Sequence, residues 1–314
     1  MRVVELAGGV GGAKLAFGLQ AEVGHDLTVV VNTGDDTERH GLAVSPDLDT
    51  VMYTLAGLDD RVQGWGLRDE TYAAAGQLER YGEETWFRLG DRDLATHIVR
   101  TARIRAGTRL AEVTIALCRS LGVQATILPM TDDRVRTEVR TADGWLEFQE
   151  YFVHLHQAPD VAEVRFVGLE HAEAPARVRG EIGFAEAILI APSNPIVSIA
   201  PILGVRGMRD LLAAARRGGT PVVAISPIVG GKALKGPADR MLASLGHEAS
   251  ALGVARLLAD VADGFVIDTA DAALATPIES LGLRTLVTDT IMTDDAARIR
   301  LARETLAFAR SLHD

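Results

Sequence analysis

The stretch LAGGVGGAKLAFGL, residues 6–19, places four glycines within five positions, between an apolar run and a helical pattern. Glycine permits close approach of the backbone to a ligand, and the N-terminus of the following helix offers free N–H groups. Gly9, Gly11, Gly12 and Lys14 are therefore candidate phosphate-binding residues. The stretch is neither a Walker A motif nor a complete dinucleotide fingerprint, because Lys14 occupies the place of the third glycine. A tight strand-to-helix turn without a ligand is the alternative.

Carboxylates follow the second apolar run of the chain. The segment NTGDDTERHG contains Asp35 and Asp36, and SPDLDT contains Asp49. Adjacent carboxylates at the end of a strand often hold a divalent cation or ribose hydroxyls, because Mg²⁺ prefers hard oxygen ligands. The alternative for the first pair is a turn built on Asx side chains. Asp49 either complements the positive end of a helix capped by Ser45, or faces the site as a metal ligand or base.

The segment LGDRDLATH combines an arginine with a histidine at the start of a helix. Arg92, between Asp91 and Asp93, is either an organiser of internal ion pairs or a planar clamp for a phosphate or a flat ring. His97 lies one helical turn after Asp93, where a packing or hydrogen-bonding role competes with a role in the site.

Two later loops also contain small polar residues. Serine and asparagine between two prolines suit the recognition of a nucleobase or phosphate, although a simple proline-framed turn is the alternative. The loop PIVGGKALKG repeats the pattern of glycines and lysines, which predicts a second phosphate cradle or a flexible lid. The candidate nucleotide-binding residues of these loops are Ser193, Asn194, Ser226, Gly230, Gly231 and Lys232.

Seven short apolar runs alternate with helical patterns along the chain. Fully apolar runs of this length suit strands that are covered on both faces. The pattern predicts an α/β fold with a doubly wound, mostly parallel Rossmann-like sheet, and ligands bind at the carboxyl ends of such strands. The predicted strands are VVELA (3–7), LTVVVN (27–32), ATILP (125–129), EAILIA (186–191), PVVAIS (221–226), GFVID (264–268) and RTLVTD (284–289).

Two segments depart from this alternation. Residues 135–155 alternate like half-buried strands around Asp143-Gly144, which predicts an antiparallel hairpin. We therefore expect an inserted β-hairpin subdomain at 135–180 in a Rossmann-like core formed by 1–134 and 181–314. The stretch at about 55–110 is expected to form a helical cap.

Composition limits the classes of protein that the chain can represent. The 314 residues carry a formal net charge of −11, which argues against nucleic-acid partners and anionic membranes. With Cys118 as its single cysteine, the chain can form no internal disulfide. The N-terminus lacks the pattern of a signal peptide, and no apolar run is long enough for a membrane span, so we expect a cytoplasmic protein.

Together these segments resemble the 2-phospho-L-lactate transferase family of coenzyme F420 biosynthesis, and its actinobacterial branch in particular. The resemblance runs from about residue 3 to 295, and the joint occurrence of LGDRDLATH, SPDLDT and PSNP is specific to it. The similar strings are AGGVGGAKL, VVVNTGDD, SPDLDTVMYTLAG, LGDRDLATHIVR, LPMTDD, LEFQEYFV, APSNPIVSIAPIL, ISPIVGGKALKGPA and TLVTDTIMTD.

The resemblance implies a homodimer that transfers a group to the deazaflavin FO. The ribityl hydroxyl of FO would attack the phosphate next to lactate or enolpyruvate in a guanosine diphosphate-linked donor, and GMP would leave. Asp49 and Arg92 match positions that bind FO, and we expect Asp36 and His97 beside them. We expect Mg²⁺ at Asp35 or Asp49. Asp35, Asp49 and Arg92 are the candidate catalytic residues, and which aspartate accepts the hydroxyl proton stays open.

Two other classes of function remain as alternatives. A related bacterial family of non-enzymatic nucleotide-sugar-binding regulators has a similar glycine loop and paired aspartates, but not SPDLDT and LGDRDLATH together. An NAD-dependent oxidoreductase is disfavoured because the third glycine of its fingerprint is missing. No single residue identifies the donor as lactyl, enolpyruvyl or glyceryl, and only the resemblance to the actinobacterial branch favours enolpyruvate.

Overall fold

A computed structural model describes residues 1–312 of the chain and contains fourteen strands. Each of the seven predicted apolar runs forms one of them. The strands are β1 (Val3–Ala7), β2 (Leu27–Val31), β3 (Thr37–Arg39), β4 (Leu42–Val44), β5 (Thr126–Pro129), β6 (Arg136–Thr141), β7 (Gly144–Glu147), β8 (Glu163–Val167), β9 (Ala187–Ile190), β10 (Val222–Ile225), β11 (Ile228–Val229), β12 (Lys232–Ala233), β13 (Gly264–Asp268) and β14 (Arg284–Thr288).

The helices follow the predicted pattern with shifted ends, and several short ones are added. They are α1 (Val10–Val23), α2 (Pro46–Leu55), α3 (Ala73–Arg80), α4 (Asp93–Arg105), α5 (Leu110–Ser120), α6 (Ala176–Gly183), α7 (Ala200–Gly204), α8 (Met208–Arg217), α9 (Ala238–Ser244), α10 (Ala251–Leu258), α11 (Ala275–Glu279) and α12 (Asp295–Ser311). Within residues 1–312, none of these helices combines the length and the apolar character that crossing a membrane requires.

The main sheet has seven strands in the order β14-β13-β10-β9-β1-β2-β5, and every neighbouring pair is parallel. The chain runs from β1 through α1 to β2 on one side, whereas β9 and β10 lie on the other side of β1. The strand order therefore reverses between β1 and β9, and such a reversal opens a crevice at the carboxyl ends of the strands. The predicted fold class is confirmed.

Side chains of successive residues point to opposite faces of the sheet, so each face has its own core. On β1, Val4 and Leu6 belong to the core beneath α6, α8 and α10. Val3 and Ala7 belong to the opposite core, with residues of α1, α2 and α12. Glu5, on the same face as Val3, is completely buried at the centre of the sheet.

The segment after β5 forms a separate three-stranded antiparallel sheet in the order β7-β6-β8. The predicted hairpin around Asp143-Gly144 is confirmed, since β6 pairs with β7 in antiparallel register. The third strand, β8, was not predicted. The division into a core and an inserted subdomain stays a prediction.

The segment at about 55–110 contains the whole of α3 and α4, but residues 56–72 and 81–92 are turns and loops. The segment therefore contains two helices joined by loops, and its function as a helical cap stays a prediction. The physical reason for the loops is local, because left-handed glycines at 57, 64, 66 and 82 interrupt any helix there.

Candidate active site

A cavity of about 690 Å³ opens at the carboxyl ends of β1, β2, β9 and β10, where the strand order reverses. Loops after all four strands line it, together with the start of α2, the cap at about 55–110 and the segment 148–157. The predicted site residues that line it are Gly9, Gly11, Lys14, Asp35, Asp49, His97, Ser193, Asn194 and Ser226. The cavity thus brings together residues that the sequence spreads over more than two hundred positions.

The glycine loop packs against protein, and no glycine from 8 to 12 has a positive φ angle. Helix α1 begins at Val10, so Gly11 and Gly12 lie in its first turn. A Cβ at Gly11 would collide with the carbonyl oxygen of Pro192, and one at Gly12 would lie 2.6 Å from the Cβ of Ala7. Because glycine leaves this space free, the N-terminus of α1 lies directly against the loop after β9. Gly12 is buried and does not line the cavity.

Lys14 is the fifth residue of α1 and reaches the cavity from inside the helix, not from its start as expected. Its Nζ donates to the carbonyl oxygen of Met292 at 3.2 Å. Burial lowers the pKa of Lys14, and the nearby positive charges of Arg298 and Lys235 lower it further. An anion beside this ammonium group would offset both effects.

Two carboxylates at the end of β2 and the start of α2 face the cavity. Asp35 is buried, and within residues 1–312 no donor meets its Oδ1 in hydrogen-bond geometry. Burial raises the pKa of Asp35 well above its ordinary value, and the neighbouring carboxylate of Asp47 raises it further. Burial also raises the pKa of Asp47 to about 6, although Asn32 Nδ2 donates to its Oδ2 at 3.0 Å. When both groups are ionised, they repel each other.

Asp47 is a cavity residue that the sequence reasoning missed. Its position after Pro46 suggested only a role at the positive end of α2. Its side chain instead contacts Asn32, which holds the turn after β2 through a hydrogen bond from the Gly34 N–H at 2.8 Å. The available signal was the repeated Asp-x-Asp spacing of PDLD, which places two carboxylates on one helical turn.

Asp49 lies on the same helix and has a fixed partner. Its carboxylate forms a two-point ion pair with the guanidinium of Arg100, and both side chains are almost completely buried. Arg100 also donates to Nδ1 of His97 at 3.3 Å. Because a guanidinium can only donate, Nδ1 of His97 is the acceptor in this contact, and Nε2 lies 3.1 Å from Asp93 Oδ2.

The same network continues to Asp93 and Tyr53 on the cavity wall. The Tyr53 hydroxyl donates to Asp93 Oδ1 at 2.6 Å. Burial would raise the pKa of Asp93, but its contacts with His97, Tyr53 and Arg100 outweigh burial and lower it. Asp49, Asp93 and His97 are close enough to share a metal ion, but Arg100 already neutralises Asp49 there. The arrangement therefore favours a rigid hydrogen-bonded wall over a metal centre.

Arg100 was also missed, because it lies within a regular helical pattern. The signal for it was its position three residues after His97, which places both side chains on one face of α4.

Two of the four residues expected to bind FO lie outside the cavity. Arg92 is exposed, and its Nη1 donates to the carbonyl oxygen of Arg68 at 2.9 Å. The carboxylate of Glu70 accepts from the backbone N–H of Arg92 at 2.8 Å, and this bond fixes the loop with the arginine outside. Asp36 accepts from the Ser45 hydroxyl at 2.8 Å, and burial raises its pKa to about 7. In this structure, only Asp49 and His97 of the four are placed to touch a ligand.

The polar atoms of the two later loops are largely used within the protein. Ser193 Oγ accepts from the Gly8 N–H at 3.0 Å, and Asn194 Oδ1 caps the π-helical turn Pro195–Ile199. Ser226 Oγ donates to the carbonyl oxygen of Ile228 at 2.9 Å. These residues shape the cavity floor by holding the loops in place.

The second glycine-rich loop does not form the expected phosphate cradle. Gly230 and Gly231 have φ angles of 57° and 77° and form the two-residue turn of the β11–β12 hairpin. This type of turn requires positive φ at both positions, which explains the glycine pair. Neither glycine lines the cavity, and Lys232 is exposed outside it. Lys235 lines the cavity instead, with its Nζ donating to the carbonyl oxygen of Gln63 at 3.0 Å.

An aromatic wall, absent from the sequence-based site, completes the cavity. Trp65 and Phe87 come from the cap, and Phe148 and Phe152 come from the segment after β7. The rings of Phe148 and Phe152 stack with centroids 5.4 Å apart. No local spacing predicted this wall, because its members meet only through tertiary packing. A flat ring fits between such side chains.

The cavity therefore has three kinds of surface: an acidic side with Asp35 and Asp47, a cationic side with Lys14 and Lys235, and aromatic rings. The aromatic rings suit a ligand with a flat ring, the lysines suit an anionic group, and the carboxylates suit a divalent cation. Fold and cavity together are those of a doubly wound α/β protein that holds its ligand at the reversal of strand order.

Comparison with known proteins agrees with this class. The family model described as "2-phospho-L-lactate transferase CofD" matches residues 3–300. A "Phosphoenolpyruvate transferase" of Kitasatospora aureofaciens is 45% identical over 99% of both chains. The protein of that name from Streptomyces coelicolor is 46% identical over 100% of both, and that from Mycobacterium ulcerans is 40% identical over 98% of this chain and 99% of its own.

The chain belongs to the CofD family, the transferase family of F420 biosynthesis that its sequence resembled. A crystal structure of a upf0052 family member from Bacillus halodurans has a TM-score of 0.63 over 97% of this chain and 98% of its own, with 14% sequence identity. At that identity the likeness concerns the fold alone.

Proposed function

We propose that this protein transfers a three-carbon acid phosphate to the deazaflavin FO. The donor is a guanosine diphosphate-linked phospholactate or phosphoenolpyruvate, and the names of the relatives favour enolpyruvate. The product is F420-0 or its dehydro form, and GMP is released. The observation that carries the proposal is the joining of acidic, cationic and aromatic surfaces in one cavity.

The proposed reaction is an in-line displacement at phosphorus. The ribityl hydroxyl oxygen forms a new bond to the phosphorus that bears the three-carbon acid. The bond from that phosphorus to the oxygen bridging to the guanosine phosphate breaks, and this oxygen leaves with GMP. The hydroxyl proton passes to a protein carboxylate and from there to solvent. Such a reaction needs mainly positioning and charge neutralisation.

The aromatic residues of the cavity are the proposed binding site of the deazaflavin ring. Trp65, Phe87, Phe148 and Phe152 line the cavity, and the rings of Phe148 and Phe152 stack on each other. Asp49 and His97 line the same cavity, and they are the proposed residues that orient the ribityl chain. Asp49 is held in place by two hydrogen bonds from Arg100, so its proposed role is to orient the ribityl hydroxyl, and the choice of the carboxylate that accepts the proton stays open.

Asp35 and Asp47 fit a magnesium ion better than Asp49 does. Asp35 has an unpartnered, buried carboxylate oxygen, and Asp47 faces the same space with a single side-chain donor, Asn32. Both oxygens of Asp49 are already bound by Arg100. When bound, Mg²⁺ would neutralise charge on the phosphates. The oxygen chemistry of this pair is what such an ion requires.

The test is a mass-spectrometric assay of the purified protein with FO, Mg²⁺ and each guanosine diphosphate-linked donor in turn. We expect GMP release together with an adduct whose mass identifies the acid. Asp49→Asn should lower turnover strongly, whereas Asp143→Asn, at the exposed turn of the β6–β7 hairpin, should not. Absence of GMP and of any adduct, with the protein folded and FO bound, would favour a binding protein instead.

We also propose that the protein works as a homodimer, as the family resemblance implies. Light scattering coupled to gel filtration checks this independently of activity. A mass of about 33.5 kDa, that of one chain, would contradict it.

A further inference from the structure

A second, smaller pocket of about 160 Å³ lies beside the main cavity and shares Val10, Lys14 and Lys235 with it. It lies between α1, the loop after α2 and the start of α12. Its other lining residues are Thr54, Asp59, Arg61, Gly64, Thr293, Asp294 and Arg298. We call it the side pocket. A pocket of this size holds a small group, not a whole nucleotide.

The side pocket concentrates positive charge in an acidic protein. Four cationic side chains line it, against the two carboxylates of Asp59 and Asp294. Asp295, just outside the lining, pairs with Arg61 at 3.0 Å and with Arg298 at 3.3 Å. One positive charge remains in excess even after Asp295 is counted, whereas the whole chain has a net charge of −11.

Within residues 1–312, the two lysines of the side pocket have no carboxylate partner. Lys14 Nζ donates to the Met292 carbonyl at 3.2 Å, and Lys235 Nζ donates to the Gln63 carbonyl at 3.0 Å. The chain has only three lysines, at 14, 232 and 235, and two of them line this pocket. After burial, the nearby positive charges of Arg298 and Lys235 lower the pKa of Lys14 further.

Arg298 is the buried member of this group. Its side chain is only 6% exposed, and its guanidinium lies 5.3 Å from the centre of the Phe17 ring. Among the described residues 1–312, its buried Nε has no hydrogen-bond partner. A buried cation with an open donor is costly unless an acceptor is provided. An anion in the side pocket would lie among Lys14, Lys235 and Arg298, which all line it.

We propose that the side pocket is an anion subsite in which Lys14, Lys235 and Arg298 bind one anionic end of the donor substrate. This inference rests on the proposed function for the identity of the donor, but the binding of an anion does not depend on it. Two ends of the donor carry suitable oxygens: the phosphates and the carboxylate of the three-carbon acid. Asp59, buried with an unpartnered Oδ1, would accept a hydrogen bond from a hydroxyl or water beside that anion.

Isothermal titration without FO tests the subsite with two probes: inorganic pyrophosphate, which has no carboxylate, and malonate, which has no phosphate. The variants are Lys235→Met and Arg298→Met. The matched control is Arg303→Met, which removes a positive charge from the exposed side of the same helix, α12. Lys235 is exposed, so its variant keeps the test valid if Arg298→Met does not fold.

We expect at least about a tenfold loss of affinity for one probe or both in Lys235→Met and Arg298→Met, and little change in the control. Loss for pyrophosphate alone assigns the subsite to the phosphates, and loss for malonate alone assigns it to the carboxylate. The inference is overturned if the parent protein binds neither probe, if affinities are unchanged in Lys235→Met, or if the control loses as much. If the protein binds a probe but releases no GMP and forms no FO adduct in the mass-spectrometric assay, the proposed function is refuted and the subsite stands.

Discussion

Glu5 should make the stability of the protein fall as pH rises. It lies at the centre of β1 between Val29 of β2 and Leu189 of β9, with an exposure of 0%. In the described part of the chain, residues 1–312, neither carboxylate oxygen of Glu5 has a hydrogen-bond partner. Burial raises the pKa of Glu5 well above its ordinary value of 4.5. The folded protein therefore holds this carboxyl in its neutral form at pH values where the unfolded chain has already ionised it.

The sign and size of the effect follow from proton linkage. Above pH 4.5, the ordinary pKa of Glu5, the unfolded state has lost a proton that the folded state keeps. The free energy of unfolding then falls by about 1.4 kcal/mol per pH unit until the folded pKa is reached. Glu5→Gln removes this dependence, because the amide does not titrate. Glu5→Leu also removes the unsatisfied polar group, which should add about 1–3 kcal/mol of stability.

Urea unfolding of the parent protein, Glu5→Gln and Glu5→Leu, from about pH 5 to about pH 8, measures the effect. We expect the difference between parent and Glu5→Gln to grow steadily with pH. Glu279→Gln, an exposed glutamate on α11, is the control and should show no such trend. A constant difference across the range would mean that Glu5 ionises freely in the folded protein, and the reasoning from its burial would fail.

Three further outcomes are expected. Arg100→Lys keeps the positive charge but loses the pair of hydrogen bonds to Asp49, so kcat/KM should fall about tenfold or more while the circular dichroism spectrum stays unchanged. An unchanged kcat/KM would show that Arg100 does not position Asp49 for the reaction. Gly11→Ala should destabilise the fold by more than about 2 kcal/mol in urea unfolding, since its Cβ meets the Pro192 carbonyl. The control is Gly180→Ala on α6, where a Cβ has open space, and it should be neutral or stabilising by up to about 1 kcal/mol. Equal loss of stability in Gly11→Ala and Gly180→Ala would contradict the close approach of α1 to the loop after β9. Asp35→Asn should weaken Mn²⁺ binding, measured by calorimetry, by at least about tenfold. If Asp49→Asn weakens Mn²⁺ binding by that factor and Asp35→Asn does not, the metal site is at Asp49 instead.

The main sheet was predictable because its strands are buried on both faces. A run such as VVELA or LTVVV must be covered by helices, and only a parallel sheet between two helical layers provides that. The antiparallel hairpin was predictable from the Asp143-Gly144 turn alone. Strand β8 was not predictable in this way, since no tight turn joins it directly to β6, its partner, from which it is separated by β7 and a long connection.

The site was most predictable where residues follow a strand. Asp35 and Ser193 lie after strand ends, so the parallel sheet itself brings them together. Lys14, Asp49 and His97 were found within helical patterns, whereas Trp65 and Phe87 reach the cavity only through tertiary packing of the segment 55–110. The Gly230-Gly231 pair shows the opposite error, because a hairpin turn and a phosphate loop require the same residue for different reasons.

The charge pattern links the fold to the proposed chemistry. A protein with a net charge of −11 repels an anionic donor at long range, so attraction must come from inside the cavity. Lys14 and Lys235 supply it on one side, and the uncompensated pair Asp35 and Asp47 calls for a cation on the other. The like charges within each pair repel each other, and a ligand group of opposite charge would offset that repulsion. A donor diphosphate with its divalent ion would relieve both at once, which is why we expect ion and donor to bind cooperatively.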